Sequence, residues 1–262
     1  MINAASARTF WLRLRGRWQR TSARWLARRP RPMRAGRATI SFTFDDFPRS
    51  AFRCGGELLA AEGWRGTYYA SLGLMGGTAP TGVMFGEEDL HALVAQGHEL
   101  GCHTFSHCDA SRTPGRVFEA EVRRNAEALA RLLPEARFRT LSYPIGQPRP
   151  ATKRRVAAYF DCCRGGGQSP NQGRVDLNLL SAFFLEQSRD RLDGIRRVIE
   201  ATCATRGWLI FATHDIDIAP TRFGITPGFF AEVLKLCRAS GAAVLPVAEA
   251  YRASLDPAGT LE

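Results

Sequence analysis

The chain has 262 residues and carries 36 Lys+Arg against 25 Asp+Glu, a formal net charge of +11. Eleven of those bases are arginines within residues 1–37, which hold no acid, so residues 38–262 balance 25 bases against 25 acids. The high pI is therefore a property of one end of the chain, which argues against a basic nucleic-acid groove on the body; no apolar run approaches the length of a membrane-spanning helix.

The first element is the arginine segment itself. Trp11, Trp18 and Trp25 fall seven apart with Leu14 on the same stripe, and arginines 13, 15, 17, 20, 24 and 28 cover most of the remaining surface. Thr21 and Ser22 interrupt the stripe between the last two tryptophans. The pattern predicts a basic amphipathic helix of the kind that lies in membrane interfaces. Its expected partner is an anionic membrane surface met through residues 8–29, each base contributing about 1 kcal/mol near such a leaflet. Docking on the chain's own barrel or on a second subunit is the competing expectation, and disorder is the third. Phe10-Trp11-Leu12 is too short for the apolar core of a secretory signal, and Pro-Arg-Pro follows Arg28-Arg29. Seven cysteines without a disulfide-like framework read as reduced thiols. The expected location is cytoplasmic, with peripheral attachment to the inner face of the membrane.

From residue 38 the pattern alternates. β-rich runs occur at Ala38–Phe44, Gly66–Ser71, His98–His103, Phe138–Pro144, Phe160–Gly165, Ser181–Glu186, Trp208–His214 and Ala243–Val247. Helical periodicity fills 51–62, 87–96, 115–133, 150–158, 189–205 and 227–239, and Gly63, Gly97, Gly207 and Gly241 stand where a left-handed residue stops a helix. Strands alternating with helices imply parallel pairing through right-handed crossovers, closed or nearly closed. The expected organisation is an extension over 1–37, an α/β distorted (β/α) barrel of 7–8 parallel strands over 38–252, and a tail over 253–262. Residues 165–173 read as a flexible loop at the barrel mouth, where residues at the C-terminal strand ends converge.

Polar groups gather at those ends. The first strand delivers the adjacent carboxylates Asp45 and Asp46, which read equally well as a turn cap. The third ends in His103-Thr104-Phe105-Ser106-His107. Along a continuing strand the two histidines would stand about 13 Å apart, far beyond zinc–nitrogen bonds of about 2.0–2.1 Å. On a helical turn they share one face and can grip one cation. With a carboxylate from another strand they would form a two-His-one-Asp set with open positions. The seventh strand delivers His214, suited to proton transfer or to a satisfied core position. The fourth ends Ser142-Tyr143-Pro144-Ile145-Gly146, a bend able to present a backbone N–H. His91 and His98 receive no role, and Cys102, Cys108, Cys162 and Cys163 read as packing residues.

Thr43-Phe44-Asp45-Asp46, His103-Thr-Phe-Ser-His107 and the two later strand ends, in this order, resemble the NodB-type polysaccharide deacetylases, carbohydrate esterase family 4, over roughly residues 38–250. The histidine segment matches that family's HTxSH pattern in full. The resemblance implies a metal-dependent amide hydrolase, with Zn2+ (or Co2+ or Ni2+) held by Asp46, His103 and His107. Asp45 would be the general base, His214 the acid that protonates the leaving amine, and the backbone N–H of Ile145 an oxyanion donor beside Tyr143. The substrate implied is an N-acetylated glycan, whether polysaccharide, oligosaccharide or lipid-linked.

The sequence also departs from that pattern. Phe47-Pro48 replaces the usual Gly after the aspartates and is expected to narrow the mouth. Ser142 stands where the third motif has an arginine that orients the base, and Arg164 at the end of the fifth strand is the expected substitute. Asp176 is the candidate for the fourth motif, without its tryptophan. The Leu-x-His of the fifth motif reads Ala212-Thr213-His214. Two rival readings stand beside deacetylation: hydrolysis of a small-molecule amide, and a metal-binding pseudo-deacetylase.

Overall fold

A computed structural model describes residues 21–33, 36–189 and 191–255. All eight expected strands are present: β1 (Thr39–Phe44), β2 (Thr67–Ala70), β3 (Glu99–Cys102), β4 (Thr140–Ser142), β5 (Cys162–Arg164), β6 (Phe183–Phe184), β7 (Trp208–Thr213) and β8 (Ala243–Val244). They form one sheet in the order β6-β7-β1-β2-β3-β4-β5, every neighbour parallel. β8 pairs with the first two residues of β1. The segment 177–180 runs beside β5, with Cys163 N–H on the Leu177 carbonyl at 2.7 Å and Leu180 N–H on that of Cys163 at 2.8 Å. It leads directly into β6, so the sheet curls into a distorted (β/α) barrel.

The helices are α1 (Glu57–Ala61, continuing a π turn over Ala51–Gly56), α2 (Glu87–Ala95), α3 (Gly115–Leu132), α4 (Pro150–Val156), α5 (Leu192–Ala204), α6 (Pro227–Ser240) and α7 (Val247–Leu255). α6 shows how the sequence sets its ends: the Thr226 hydroxyl accepts from Phe229 N–H, Pro227 opens the first turn, and Gly241 closes it at φ 69°. α7 is not anticipated by the sequence pattern, which carried the eighth strand to Val247. Gly207 also differs from expectation. Arg206 takes the left-handed conformation (φ 49°), and Gly207 is required because a Cβ there would stand 2.9 Å from the Asn171 carbonyl.

The period-two alternation of each strand sorts residues between two cores. Ile40, Phe42, Phe44, Leu209 and Phe211 pack outward against Leu59, Phe230 and Leu234 of the helices. Trp208, Ile210 and Ala212 face the other way, with Val247 and Ala250 of α7, and the Trp208 indole donates to Ser41 Oγ at 3.0 Å. α7 lies at the N-terminal strand ends. Val247 N–H donates to Thr67 Oγ1, and Ala248 N–H donates to Glu99, which also accepts from Thr67 and Thr140. Chemistry is thereby left to the opposite end.

Residues 21–33 are docked on the barrel. Pro30–Pro32 pairs antiparallel with Arg174–Asp176. The buried Lys153 ammonium donates to Asp176 Oδ2 (2.7 Å), the Ala23 carbonyl (2.6 Å) and the Leu26 carbonyl (3.1 Å). The Arg29 guanidinium donates to the carbonyls of Ala157, Phe160 and Asp161. The remainder of the expected amphipathic stripe, Trp11 to Trp18, lies outside the described residues, as does the tail beyond 255. No described helix is long and apolar enough to cross a membrane.

Candidate active site

Eight of the nine residues picked from the sequence line one cavity of about 950 Å³ at the C-terminal strand ends: Asp45, Asp46, His103, His107, Tyr143, Ile145, Arg164 and His214. Asp176 is not among them. It is buried beneath the docked arm, where it accepts from Lys153 and from the backbone N–H of Arg29 at 2.8 Å.

Asp46 follows β1 in a left-handed conformation (φ 64°). Thr81 Oγ1 donates to its Oδ2 at 3.0 Å, leaving Oδ1 toward the histidines. His103 Nε2 and His107 Nε2 stand 3.5 Å and 3.1 Å from that oxygen. Left-handed turns at Thr104 (φ 62°) and His107 (φ 54°) fold the chain back after β3, so the two rings meet with centroids 5.0 Å apart. His103 Nδ1 lies 2.8 Å from the Ser142 carbonyl. A carbonyl only accepts, so Nδ1 carries the proton and Nε2 presents a lone pair. Burial holds the His103 ring at about 4 despite the carboxylates of Asp45 and Asp46, so the ring is neutral at pH 7.

Asp46 Oδ1 is a buried acceptor with no hydrogen-bond donor among the described residues. One ligand atom each from Asp46, His103 and His107 lie within 4.8 Å of one another. The unpartnered Asp46 oxygen and the His103 lone pair, converging in a buried site, are unfavourable without a cation between them. One carboxylate and two imidazoles suit a divalent metal with open coordination positions. The residues fit the group.

Asp45 reaches the cavity from the same strand end and is ion-paired with Arg164, which is 1% exposed. Burial would raise the Asp45 carboxyl, but the guanidinium, with His103 and His214 beyond it, outweighs that and holds it at about 2. Arg164 is itself braced over the Tyr69 ring at 4.7 Å. The cation absent at Ser142 of β4 is thus supplied one strand over, at the end of β5.

His214, after β7, sits between the rings of Phe184 and Phe223, and its Nδ1 lies 3.2 Å from the Phe223 carbonyl. Ile145 takes φ 65° and is 71% exposed at the mouth. Its backbone N–H has no hydrogen-bond partner among the described residues, while Pro144 O accepts from Gly146 (2.7 Å) and Ala110 (3.2 Å). Tyr143 is buried beneath it.

Phe47 does not narrow the mouth. It turns into the core at φ 57° and stacks on Phe85 with ring centroids 4.6 Å apart. Of the 165–173 loop, only Gly165 and Gly166 line the cavity. The chain then runs to the far end of the barrel, where Asn171 and Trp208 exchange backbone hydrogen bonds of 2.8 Å.

Sequence reasoning missed Glu186 in the cavity wall. Burial, then the nearby charge of Asp45, push its carboxyl up to about 8, so it is protonated at neutral pH. Its identity as the last residue of a predicted strand was the only available signal. Phe184, Arg222 and Phe223, which also line the cavity, carried none.

Residues 33–161 match the family described as polysaccharide deacetylase. With the site residues in place, the chain belongs to the NodB-type polysaccharide deacetylases, carbohydrate esterase family 4. Among solved structures it is similar to the Xyl-CE4 domain of a multidomain xylanase from the hindgut metagenome of Trinervitermes trinervoides (TM-score 0.56, 15% identity, 83% of this chain and 91% of that one). It is similar also to the chitin deacetylase of Colletotrichum lindemuthianum (TM-score 0.58, 13% identity, 83% and 89%). A third likeness is to BA3943, a CE4 family pseudoenzyme from Bacillus anthracis (TM-score 0.58, 9% identity, 84% and 67%). At these identities the structures share a fold. No curated protein matches the sequence.

Proposed function

We propose that the chain is a metal-dependent hydrolase that removes the acetyl group from an N-acetylated sugar. The observation that carries this reading is a buried carboxylate, Asp45, held ionised by Arg164 beside a triad of converging ligand atoms. Zinc, cobalt or nickel bound by Asp46, His103 and His107 would polarise the acetyl carbonyl and acidify the attacking water. Asp45 takes the proton from that water, and Arg164 fixes the carboxylate's orientation. The Ile145 N–H donates to the developing oxyanion. His214, acting as the imidazolium with Nδ1–H held by the Phe223 carbonyl, gives its Nε2 proton to the departing amine and returns to the neutral Nδ1–H form. Aromatic faces at Phe184 and Phe223, with a mouth not closed by Phe47, favour a sugar over a compact amide metabolite. The Arg164–Asp45 pair removes the main ground for a pseudo-deacetylase.

Acetate release from N-acetylated oligosaccharides, measured before and after chelation, tests this reading. Chelated protein is expected to lose activity and recover it with one equivalent of Zn2+. Protein with Asp46→Ala is expected to neither bind the ion tightly nor recover. Full activity in the metal-stripped enzyme would overturn the proposal.

We also infer that the docked arm meets an anionic membrane surface. Its anchors, Arg29 and Lys153, point inward, while Trp25 (69% exposed) and Leu26 (50%) point outward between exposed Arg24 and Arg28. This is the composition of an interfacial anchor. Co-sedimentation with phosphatidylserine vesicles at low salt is expected, and Trp25→Ser should reduce it severalfold. Equal pelleting of that variant would remove the arm from the interaction.

A further inference from the structure

The loop that follows His214 carries polar contacts that the proposed chemistry does not use. Asp215, 3% exposed, accepts from the Thr221 backbone N–H at 2.7 Å and from the Thr221 hydroxyl at 2.6 Å. The Thr221 hydroxyl accepts in turn from Phe223 N–H at 3.2 Å. Asp215 and Ile225 are joined through the backbone (3.0 Å), as are Asp217 and Ile225 (3.2 Å). From outside the loop, Arg189 Nε donates to the Gly224 carbonyl at 2.9 Å, and Arg189 Nη2 to that of Thr221 at 2.5 Å. Gly224 admits no side chain, because a Cβ would lie 2.3 Å from the Asp215 carboxyl. The loop is closed on itself around one carboxylate and strapped from the side by one guanidinium.

What the closure holds in place is the Phe223 carbonyl, which faces His214 Nδ1 at 3.2 Å and accepts from Thr213 Oγ1 at 3.4 Å. Because that oxygen only accepts, the neutral imidazole must carry its proton on Nδ1, so that Nε2, turned to the cavity, is the nitrogen that takes up a second proton and hands it on. Among the described residues no carboxylate hydrogen-bonds to His214, and Asp176, the residue picked from the sequence for the fourth motif, is buried elsewhere. A wrongly placed tautomer is costly to a proton-transferring histidine even when its position is kept.

We propose that Asp215 is a positioning residue for His214: through Thr221 it holds the Phe223 carbonyl that fixes the imidazole tautomer, with Arg189 as the outer strap. This rests on the reading of His214 as the general acid, but the tautomer itself can be measured without any substrate. In the metal-loaded full-length protein, long-range 15N–1H spectra of the neutral His214 ring are expected to show the Nδ1–H tautomer alone. Asp215→Asn, which can no longer accept from both Thr221 donors, is expected to give a mixture of tautomers. Its kcat for acetate release should fall about tenfold to a hundredfold, with KM within twofold and zinc affinity unchanged. Thr221→Val should reproduce the loss, and Thr221→Ser, which keeps both donors, should restore both spectrum and rate. Should Asp215→Asn fail to fold, the Thr221 pair decides alone. A single Nδ1–H tautomer retained in both Asp215→Asn and Thr221→Val would overturn the proposal. Altered tautomers in a protein that releases no acetate from any substrate would uphold it and defeat the deacetylase reading instead.

Discussion

Arg164→Met is expected to lower kcat/KM for acetate release at pH 7 by about 100-fold or more and to move the acid limb of the pH profile upward. The reason lies in the opposing forces on Asp45. Burial raises its pKa, and the guanidinium is the largest of the influences that bring it down to about 2. Without the cation, a carboxyl left in that wall is favoured in its neutral form, which cannot accept a proton. Stability should suffer as well, because removing one partner of a buried ion pair costs about 3–5 kcal/mol. Asp45→Asn is expected to abolish turnover through loss of the base, and to leave Arg164 uncompensated. The double variant Asp45→Asn/Arg164→Met should therefore recover much of the melting temperature and none of the activity. Ser142→Arg is not expected to rescue Arg164→Met, since Ser142 is fully buried in β4. Unchanged pH profiles in Arg164→Met would remove Arg164 from its assigned role.

The same pair sets an acid limit on the fold. The folded-state pKa of Asp45, about 2, lies below its ordinary value of 3.8. The group therefore contributes stability above about pH 4, of order 2 kcal/mol, and that contribution is lost as pH falls through 2. Urea midpoints measured at pH 5 and pH 2.5 should show the wild type losing more than the double variant.

Lys153→Met is the second large effect, and it acts on stability with the chemistry left intact. The ammonium is fully buried and holds Asp176 together with two carbonyls of the docked arm. Its loss leaves a buried carboxylate without a counter-charge and two acceptors without a donor, at about 3–5 kcal/mol. For a chain of this size that corresponds to a fall of about 10 °C in melting temperature. Residues 21–33 should become readily cleaved by trypsin, whereas zinc affinity should stay within twofold. Lys153→Met/Asp176→Leu should regain part of the lost stability. A melting temperature within 2 °C of wild type in the single variant would show that the arm is held by other contacts.

The barrel was legible because runs such as Thr-Ile-Ser-Phe-Thr-Phe and Trp-Leu-Ile-Phe-Ala-Thr alternate with well-spaced helical stripes. α7 was not, because it follows β8 after only two residues and the breaker between them, Pro246, was read as part of the strand. The metal ligands could be found by spacing, since only a chain reversal after His103 makes four residues into one grip. The destination of Phe47 could not, because the left-handed turn that inverts it carries neither glycine nor asparagine. Asp176 was misplaced for a related reason. Its partner Lys153 lies 23 positions away, and nothing local distinguishes an anchoring carboxylate from one at a site. Glu186 owes its protonated state to burial and to the charge of Asp45, neither of which can be read along a sequence.

Five of the eight described non-glycine residues with left-handed backbone are Asp46, Phe47, Thr104, His107 and Ile145. Each such conformation costs of order 1 kcal/mol, which the surrounding structure must offset. The cheapest gains in robustness open to this chain therefore lie at its mouth, where glycine or asparagine would relax the backbone. Those same exchanges would delete a ligand at Asp46 or His107, or loosen the bend at Ile145. A heat-selection experiment run without an activity screen would accumulate its substitutions there, yielding a hardier barrel with nothing left to catalyse.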